Sequence, residues 1–301
     1  MKKFLLSLAT TVAVLGGTLQ ASAEQIYGLT NFQELVTFDS VTRVVTANTS
    51  LTGFGISGPF LVSIDVRPAT GELYGLSNQN NIYKINPLTG TSTLVTASPL
   101  SITGNSKAID FNPTVDRIRV ITSADNNLRV HPDTGVVAFT DANLAFAATD
   151  VNAGDNPVVV NGAYTNSFAG ATTTTLYNLE AGNDVLTTQT PPNNGTLNTV
   201  GGLGLDVVDS AGFTGFDISG ATGIAYLTGN RLGGTTPAAG SLYALNPATG
   251  AATLLGAVSN ANGGSVGTFR DIAVAAAVPE PASIGMFLVA GVAAVSLRRR
   301  G

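Results

Sequence analysis

The side chains most able to do chemistry are four aspartates that recur in similar short apolar segments: Asp65, Asp110, Asp217 and Asp271. Carboxylates brought together from separate segments could bind a cation such as calcium, or act as a general acid and base on a sugar. They could instead accept backbone N–H bonds and so join neighbouring strands. The repetition favours this structural role, because each repeated unit can use its aspartate for the same structural contact. Catalysis instead needs carboxylates that differ from one another in role.

A second charged group consists of three arginines, Arg117, Arg119 and Arg129, with Asp116 beside them. Guanidinium groups in this density could hold an anionic sugar or another carboxylate through paired hydrogen bonds. The alternative is a set of cross-strand ion pairs with Asp116 and Asp125. We favour the ion pairs, while the three arginines remain candidate ligand residues.

Several kinds of site are excluded by residue counts and context. His131 is the only histidine and there is no cysteine, which excludes a histidine triad, a thiolate metal site and disulfides. Residues 201–204 (Gly-Gly-Leu-Gly) do not form a phosphate loop, because no helix pattern and no Lys-Ser/Thr follow them. With 14 basic and 19 acidic residues, the chain also lacks the basic patch that nucleic-acid binding requires. No catalytic residue and no metal ligand can be assigned from these motifs.

The aspartates belong to a repeated unit that predicts four strands. Each unit has a leading strand with the Asp, a second and a third strand, a turn of the type x-Pro-x-Thr-Gly, and a fourth strand. The turn recurs at 86–90, 131–135 and 246–250. In it proline fixes φ, and glycine supplies the positive φ that returns the chain into the next strand.

Four leading strands begin complete units, and the third unit is degenerate. They are predicted at residues 61–66, 108–111, 158–160 and 216–218. A fifth unit is divided between the two ends of this region. Residues 269–274 form a leading strand with nothing after it, while 25–29, 35–39 and 41–46 supply the other three strands.

Five such units predict an all-β fold, a five-bladed β-propeller closed by pairing of the N- and C-terminal strands. Closure by the divided unit would leave no open sheet edge. A β-sandwich or a β-solenoid built from the same strands is the competing architecture. In a propeller the leading strands line the central channel, so the four aspartates are expected around the axis.

The N-terminal residues 1–23 have the pattern of a secretory signal peptide. A basic start at Lys2 and Lys3 precedes an apolar stretch and a small-x-small site at residues 21–23. Cleavage is expected between Ala23 and Glu24. The alternative is a buried N-terminal helix.

Residues 276–301 form a second processing segment. Pro279-Glu280-Pro281 is followed by sixteen uncharged residues, 282–297, and by Arg298-Arg299-Arg300. As a helix this stretch would rise about 24 Å, slightly less than a hydrocarbon core of roughly 30 Å, with the arginines on the cytoplasmic side. The segment resembles the PEP-CTERM sorting signal of exported Gram-negative bacterial proteins. The alternative is an ordinary tail anchor.

That resemblance implies a transient inner-membrane anchor and cleavage near Pro279-Glu280-Pro281 by a membrane protease of the exosortase type. It also implies release or attachment at the cell surface, often beside extracellular polysaccharide.

Residues 24–275, the expected propeller domain, resemble an exported family called domain of unknown function 4394. The resemblance lies in 176–179, 189–197 and 200–204, together with 109–113, 116–119 and Arg129. It implies a propeller-like domain without an assigned activity, so no catalytic residues can be transferred.

The sequence thus predicts an exported, non-enzymatic scaffold or binding protein at the cell surface or in the extracellular matrix. The alternative is a carbohydrate-active enzyme, a glycoside hydrolase or lyase that uses the channel carboxylates. An enzyme should present two or three acids from different blades in one solvent-open pocket. A scaffold should bury the aspartates and hydrogen-bond them uniformly.

Overall fold

The computed structural model describes residues 23–54, 58–209, 214–229 and 240–275, and this part of the chain forms a five-bladed β-propeller. Five small sheets, each with four successive antiparallel strands, surround one axis, and the leading strand of each is its innermost. Outside the strands, the described residues contain a single short 3₁₀ helix, Pro192–Asn194. The predicted propeller is confirmed, and the competing sandwich and solenoid are wrong.

Blade 1 is the divided unit. From the axis outward its strands are β21 (Phe269–Val274), β1 (Gln25–Thr30), β2 (Glu34–Asp39) and β3 (Val45–Ser50). Strands β21 and β1 pair antiparallel, with Ile26 opposite Val274 and Gly28 opposite Ile272. The expected pairing of the terminal strands in one sheet is therefore confirmed.

Blades 2 and 3 are continuous in sequence. Blade 2 contains β4 (Leu61–Val66), β5 (Leu73–Ser77), β6 (Ile82–Ile85) and β7 (Ser92–Leu94). Blade 3 contains β8 (Lys107–Asn112), β9 (Arg117–Thr122), β10 (Asn127–Val130) and β11 (Val137–Thr140).

Blades 4 and 5 complete the ring. Blade 4 contains β13 (Val159–Tyr164), β14 (Leu176–Glu180), β15 (Val185–Gln189) and β16 (Thr196–Gly202), with the short β12 (Ala145–Phe146) added in parallel outside β16. Blade 5 contains β17 (Gly215–Ile218), β18 (Ala225–Gly229), β19 (Ser241–Leu245) and β20 (Ala252–Ala257).

Two predicted strands are misplaced in the sequence analysis. The fourth strand of blade 1 is β3 and not residues 41–46, because Asp39 turns the chain by accepting bonds from the backbone N–H groups of Val41 and Thr42. Arg43 then adopts φ 59°, which ends the turn. The leading strand of the degenerate blade runs from Val159 to Tyr164 and is longer than predicted.

The x-Pro-x-Thr-Gly turns behave as predicted and also join adjacent blades. Gly90 has φ 72°, and its N–H donates to the carbonyl of Asn86 at 2.8 Å. A side chain there would place its Cβ 2.1 Å from the carbonyl oxygen of Ser50, in the preceding blade. The glycine is therefore required both by backbone conformation and by the close approach of two blades.

The apolar core is distributed between the blades. Within the described residues, five buried clusters each combine side chains from two neighbouring blades. Between blades 2 and 3, for example, the rings of Tyr74 and Phe111 meet edge to face at 5.1 Å. The hydrophobic stabilisation thus fixes the relative position of the blades, and with it the arrangement of side chains at the axis.

Candidate functional site

The four repeated aspartates lie together at the axis, one from each of four leading strands. We call them the axial carboxylates: Asp65 on β4, Asp110 on β8, Asp217 on β17 and Asp271 on β21. Each is between 1 and 6% exposed. Carboxylate oxygens of Asp65, Asp110 and Asp217 lie within 4.8 Å of one another.

Every axial carboxylate accepts a backbone N–H bond from the next blade. The pairs are Asp65 with Phe111 at 2.6 Å, Asp110 with Tyr164 at 2.9 Å, Asp217 with Val274 at 2.5 Å and Asp271 with Ile64 at 3.0 Å. Asp65, Asp217 and Asp271 also accept the N–H of the residue that follows them. Side chains that are buried and used in this way tie leading strands to one another around the axis.

The fifth axial position is held by Asn161 of β13, which the sequence analysis missed. Its amide donates to Asp271 Oδ1 and to the carbonyl of Thr214, both at 2.9 Å, while its own oxygen accepts the N–H of Gly162. An amide that donates and accepts therefore does in blade 4 what a carboxylate does elsewhere. The sequence signal for this role is an Asn in a leading strand. It was missed because the predicted strand ended at residue 160 and did not include Asn161.

Burial raises the pKa of every axial carboxylate, because each loses hydration that stabilises its charge. The pKa of Asp217 rises to about 7 and that of Asp271 to about 6. For Asp65 and Asp110 burial is again the main cause, and the charges of neighbouring aspartates add to it, so their pKa values lie well above the ordinary one.

Asp110 differs from the other axial carboxylates in its hydrogen bonds. Its Oδ1 accepts the N–H of Tyr164, but its Oδ2 has no hydrogen-bond partner among the described residues. Three buried carboxylates this close cannot all be ionised without a counter-charge. Chemically, the cluster can share protons, with Asp110 as the group best placed to carry one, or it can surround a cation.

Arg119 is buried, with only 2% of its side chain exposed. Its guanidinium donates to four groups: Tyr164 Oη at 3.1 Å, Asn127 Oδ1 at 2.8 Å, Asp141 Oδ2 at 2.7 Å and Asn193 Oδ1 at 2.8 Å. Tyr164 and Asn193 belong to blade 4, whereas Arg119 belongs to blade 3. The guanidinium is therefore an inter-blade tie.

The other two candidate arginines have separate environments. Arg129 makes two bonds to Asp141, both at 2.8 Å, and lies over the ring of Phe139. Among the described residues, Arg117 donates only to the carbonyl groups of Val115 and Asp116. The structure thus brings Arg119 and Arg129 together on one carboxylate and leaves Arg117 apart.

The expected pairing of these arginines with Asp116 and Asp125 is wrong. Asp116 instead makes two bonds to Arg67 of blade 2, at 2.8 and 2.5 Å, and Asp133 binds the same guanidinium at 2.7 Å. Sequence analysis missed Arg67, which lies in a loop of another repeat, and Asp141, which directly follows β11 of blade 3. Partners in loops cannot be recognised from strand register alone.

Glu24, the expected first residue after leader cleavage, is also buried. Its carboxylate accepts bonds from the hydroxyl groups of Ser219, Thr222 and Tyr226, all in blade 5. Its backbone N–H donates to Ser40 Oγ at 3.0 Å. Glu24 therefore joins the start of blade 1 to blade 5.

The remaining processing residues lie outside the described part of the chain. They are residues 1–22 of the expected leader, Pro279, Glu280 and Pro281, the apolar stretch 282–297 and Arg298, Arg299 and Arg300. Within the described ranges there is no helix whose length and hydropathy would let it cross a bilayer.

Comparisons with solved structures give weak likenesses. A protein of unknown function from Bacteroides caccae is 11% identical, with 84% of this chain and 99% of the other covered and a TM-score of 0.41. The glutaminyl cyclase of Myxococcus xanthus is 10% identical, with coverages of 65% and 77% and the same TM-score of 0.41. At these scores neither bears on function. No curated protein is significantly similar.

Two family profiles match the sequence. The domain of unknown function DUF4394 matches residues 34–273, and the PEP-CTERM protein-sorting motif matches residues 277–300. The motif indicates export, with recognition and processing by an exosortase at the membrane. Because the first match spans nearly the whole propeller, the chain belongs to the DUF4394 family and carries a C-terminal PEP-CTERM sorting motif.

Proposed function

We propose that this protein is an exported, non-enzymatic propeller that serves as a scaffold or binding module at the cell surface or in the extracellular matrix. A signal peptide of residues 1–23 directs export, residues 24–275 form the functional domain, and residues 276–301 hold the chain in the inner membrane until an exosortase-type protease removes them. Extracellular polysaccharide is the proposed binding partner.

One observation carries the non-enzymatic part of this proposal. The axial carboxylates, together with Arg119 and Arg129, are engaged in hydrogen bonds or ion pairs within the protein. The axial carboxylates are also at most 6% exposed. An acid/base pair must reach the substrate proton that it transfers, and burial of this extent opposes such contact.

The test combines binding and turnover on the same polysaccharides. The tail-processed protein is incubated with acidic and neutral extracellular polysaccharides, and both sedimentation with the polymer and release of reducing or unsaturated ends are measured. We expect co-sedimentation without chain cleavage. Cleavage that is lost in Asp110→Asn would instead establish the alternative, a glycoside hydrolase or lyase that uses the axial carboxylates.

An open groove beside blade 2 is a candidate polysaccharide surface. Its volume is about 570 Å³, and its lining includes Glu72, Lys84, Leu88 and Thr91. Lys84 and Glu72 form an ion pair at 2.8 Å, and Leu88 is 88% exposed. Apolar contact flanked by a few polar groups is a common form of carbohydrate and small-ligand site.

A matched variant for this groove exists in the chain itself. Leu88→Ala changes the blade 2 turn from Asn-Pro-Leu-Thr-Gly to Asn-Pro-Ala-Thr-Gly, the sequence of residues 246–250. The turn should therefore be preserved while an apolar wall is lost. Weaker polymer binding at unchanged thermal stability would support the groove as the polysaccharide-binding surface. Unchanged polymer binding would mean that the binding surface lies elsewhere.

A bound cation is a second possibility, favoured by the mutual proximity of Asp65, Asp110 and Asp217. Three carboxylate oxygens could contribute to a calcium site. The test is thermal unfolding at pH 7.5 with EDTA and with added calcium. A rise in melting temperature with calcium that is lost in Asp110→Asn would support a cation site, whereas identical curves would favour protons as the counter-charge.

Tail removal is tested by intact-mass spectrometry of protein recovered from outside the cell. The expected mass ends near Pro279 and begins at Glu24. Recovery of external protein that retains residues 282–301 would contradict removal of the tail.

A further inference from the structure

The first and last described segments leave the propeller side by side. The N–H of Ala275 donates to the carbonyl of Gln25 at 2.8 Å, and Val274 lies opposite Ile26. Because β21 is the innermost strand of blade 1, the sorting tail begins close to the axis and not at the rim.

The same end of the ring carries the loops that follow the other leading strands. The final residue of β21, Val274, bonds to Asp217 near the end of β17, and Glu24 contacts the loop after β17. Tyr164, the last residue of β13, similarly bonds to Asp110 near the end of β8. We call this end the terminal face; it comprises the two chain ends and loops 67–72, 113–116, 165–175 and 219–224.

The opposite face is formed by the turns between second and third strands. Its described turns are residues 31–33, 78–81, 123–126 and 181–184. A strand of five or six residues separates the two faces by about 17–20 Å.

The chain between the propeller and the apolar stretch is short. Only residues 276–281 separate the last described residue from residue 282. Six residues span at most about 22 Å when fully extended. Any bilayer that holds residues 282–297 must therefore lie within about 22 Å of the point where β21 ends.

We propose that the terminal face lies against the bilayer while the tail anchors the protein, and that the opposite face points away from it. This inference rests on the proposed membrane-held stage of export.

Geometry excludes the reverse orientation. Three strand spacings of about 4.8 Å place the outer strand of each blade about 14 Å from the innermost strand. If the opposite face met the membrane, residues 276–281 would have to run outward across this radius. They would then have to run along the height of the propeller, about 17–20 Å, to reach the bilayer. The sum exceeds their maximum reach, because the tail leaves near the centre of the terminal face.

The orientation assigns a partner to the terminal face while the chain is anchored. This face meets lipid headgroups, and the protease must cleave Pro279-Glu280-Pro281 in the gap between this face and the bilayer. The groove beside blade 2 includes Gly71 and Glu72 of the terminal face, so it faces the bilayer before cleavage and becomes accessible to extracellular polymer once the tail is removed.

The absence of cysteine from the whole chain allows a direct test, because each introduced cysteine is a unique labelling site. Two matched pairs of exposed positions lie on opposite faces of the same blade: Ala69→Cys with Gln79→Cys in blade 2, and Phe168→Cys with Asn183→Cys in blade 4. The full-length chain is labelled with a fluorophore and reconstituted into liposomes that contain a headgroup-attached energy acceptor. Flotation reports membrane attachment, and donor quenching reports the distance of each label from the lipid surface.

We expect strong quenching at positions 69 and 168 and little quenching at positions 79 and 183. Equal or reversed quenching in protein that floats with the liposomes would overturn the orientation and leave the membrane-held stage intact. Protein that does not float would overturn the membrane-held stage, and the orientation with it. Circular dichroism of each variant verifies that the propeller is folded.

Discussion

The substitution Asp110→Asn should make the propeller less sensitive to alkaline pH. Asp110 Oδ1 accepts the N–H of Tyr164, whereas Oδ2 has no partner among the described residues. A carboxylate oxygen of Asp110 lies within 4.8 Å of oxygens of the buried Asp65 and Asp217. An asparagine can keep the first bond and use its amide to donate to a neighbouring carboxylate. Asn161 shows that this chemistry is compatible with an axial position, since it donates to Asp271 and accepts from Gly162.

The sign of the effect follows from the raised pKa of Asp110. Between the unfolded and the folded pKa, the folded protein binds more protons than the unfolded chain, so the free energy of unfolding falls as pH rises. The stabilisation from each such group is complete below its unfolded pKa of about 3.9 and is lost as pH rises through the folded pKa. For Asp217, whose folded pKa is about 7, this window extends from about pH 4 to pH 7.

Each group that stays protonated only in the folded state contributes a slope of about 1.4 kcal/mol per pH unit. Removal of one such group should therefore reduce the slope of the free energy of unfolding against pH by about that amount. At pH values between its unfolded and its folded pKa, Asp110→Asn should therefore gain stability relative to the wild type at about this rate as pH rises. The neighbouring carboxylates should also ionise more readily, because the asparagine amide can donate to one of them and cannot itself become negatively charged.

The assay is urea unfolding followed by far-ultraviolet circular dichroism between pH 5 and pH 8, in EDTA, since the chain has no tryptophan. The matched variant is Asp217→Asn, which also removes a carboxyl of raised pKa but loses an oxygen acceptor for either Val274 or Ile218, and it should therefore cost about 1–3 kcal/mol at pH 5. Parallel stability curves for the wild type and Asp110→Asn would refute the proton-sharing argument. So would a loss of stability in Asp110→Asn at pH 5 as large as that in Asp217→Asn.

Three further changes test the contacts that close the ring. Arg119→Ala should cost about 3–5 kcal/mol, because it removes a buried partner of Asp141, whereas Arg117→Ala should change stability by less than about 1 kcal/mol; equal effects in urea unfolding would contradict the inter-blade role of Arg119. Glu24→Ala should lower stability by about 2 kcal/mol, since three hydroxyl groups of blade 5 lose their acceptor. An unchanged melting temperature would show that Glu24 does not contribute to ring closure. Truncation after Gly267 removes β21 and should abolish cooperative thermal unfolding; a normal transition would show that the ring does not need this strand.

Much of the fold could be predicted because its signals are local and repeated. Short alternating segments and x-Pro-x-Thr-Gly turns indicate strands and their connections without any tertiary information. The divided unit at residues 25–46 and 269–274 then indicates closure, because a leading strand and its partners are missing from opposite ends. The position of β3 depends on the Asp39 turn and the positive φ of Arg43, which strand periodicity does not indicate. The unpredicted β12 depends on pairing with β16 of blade 4, which local patterns do not encode.

The candidate site could be predicted only in part, for a similar reason. The repetition of Asp65, Asp110, Asp217 and Asp271 was sufficient to place them on leading strands around an axis. Their hydrogen-bond donors belong to the next blade, and so do two of the four partners of Arg119. Such partners become neighbours only after the ring closes.

The sequence by itself determined the repeated blade, the divided unit and the sorting motif, because strand periodicity, turn chemistry and terminal composition are properties of consecutive residues. Only the tertiary structure decided that the axial carboxylates are buried, that Asp110 alone among them has an oxygen without a partner in the described chain, and that both chain ends leave from one face. The physical reason is that burial, pKa and the direction of a chain end depend on groups distant in sequence. Those groups are brought together by the apolar clusters between the blades.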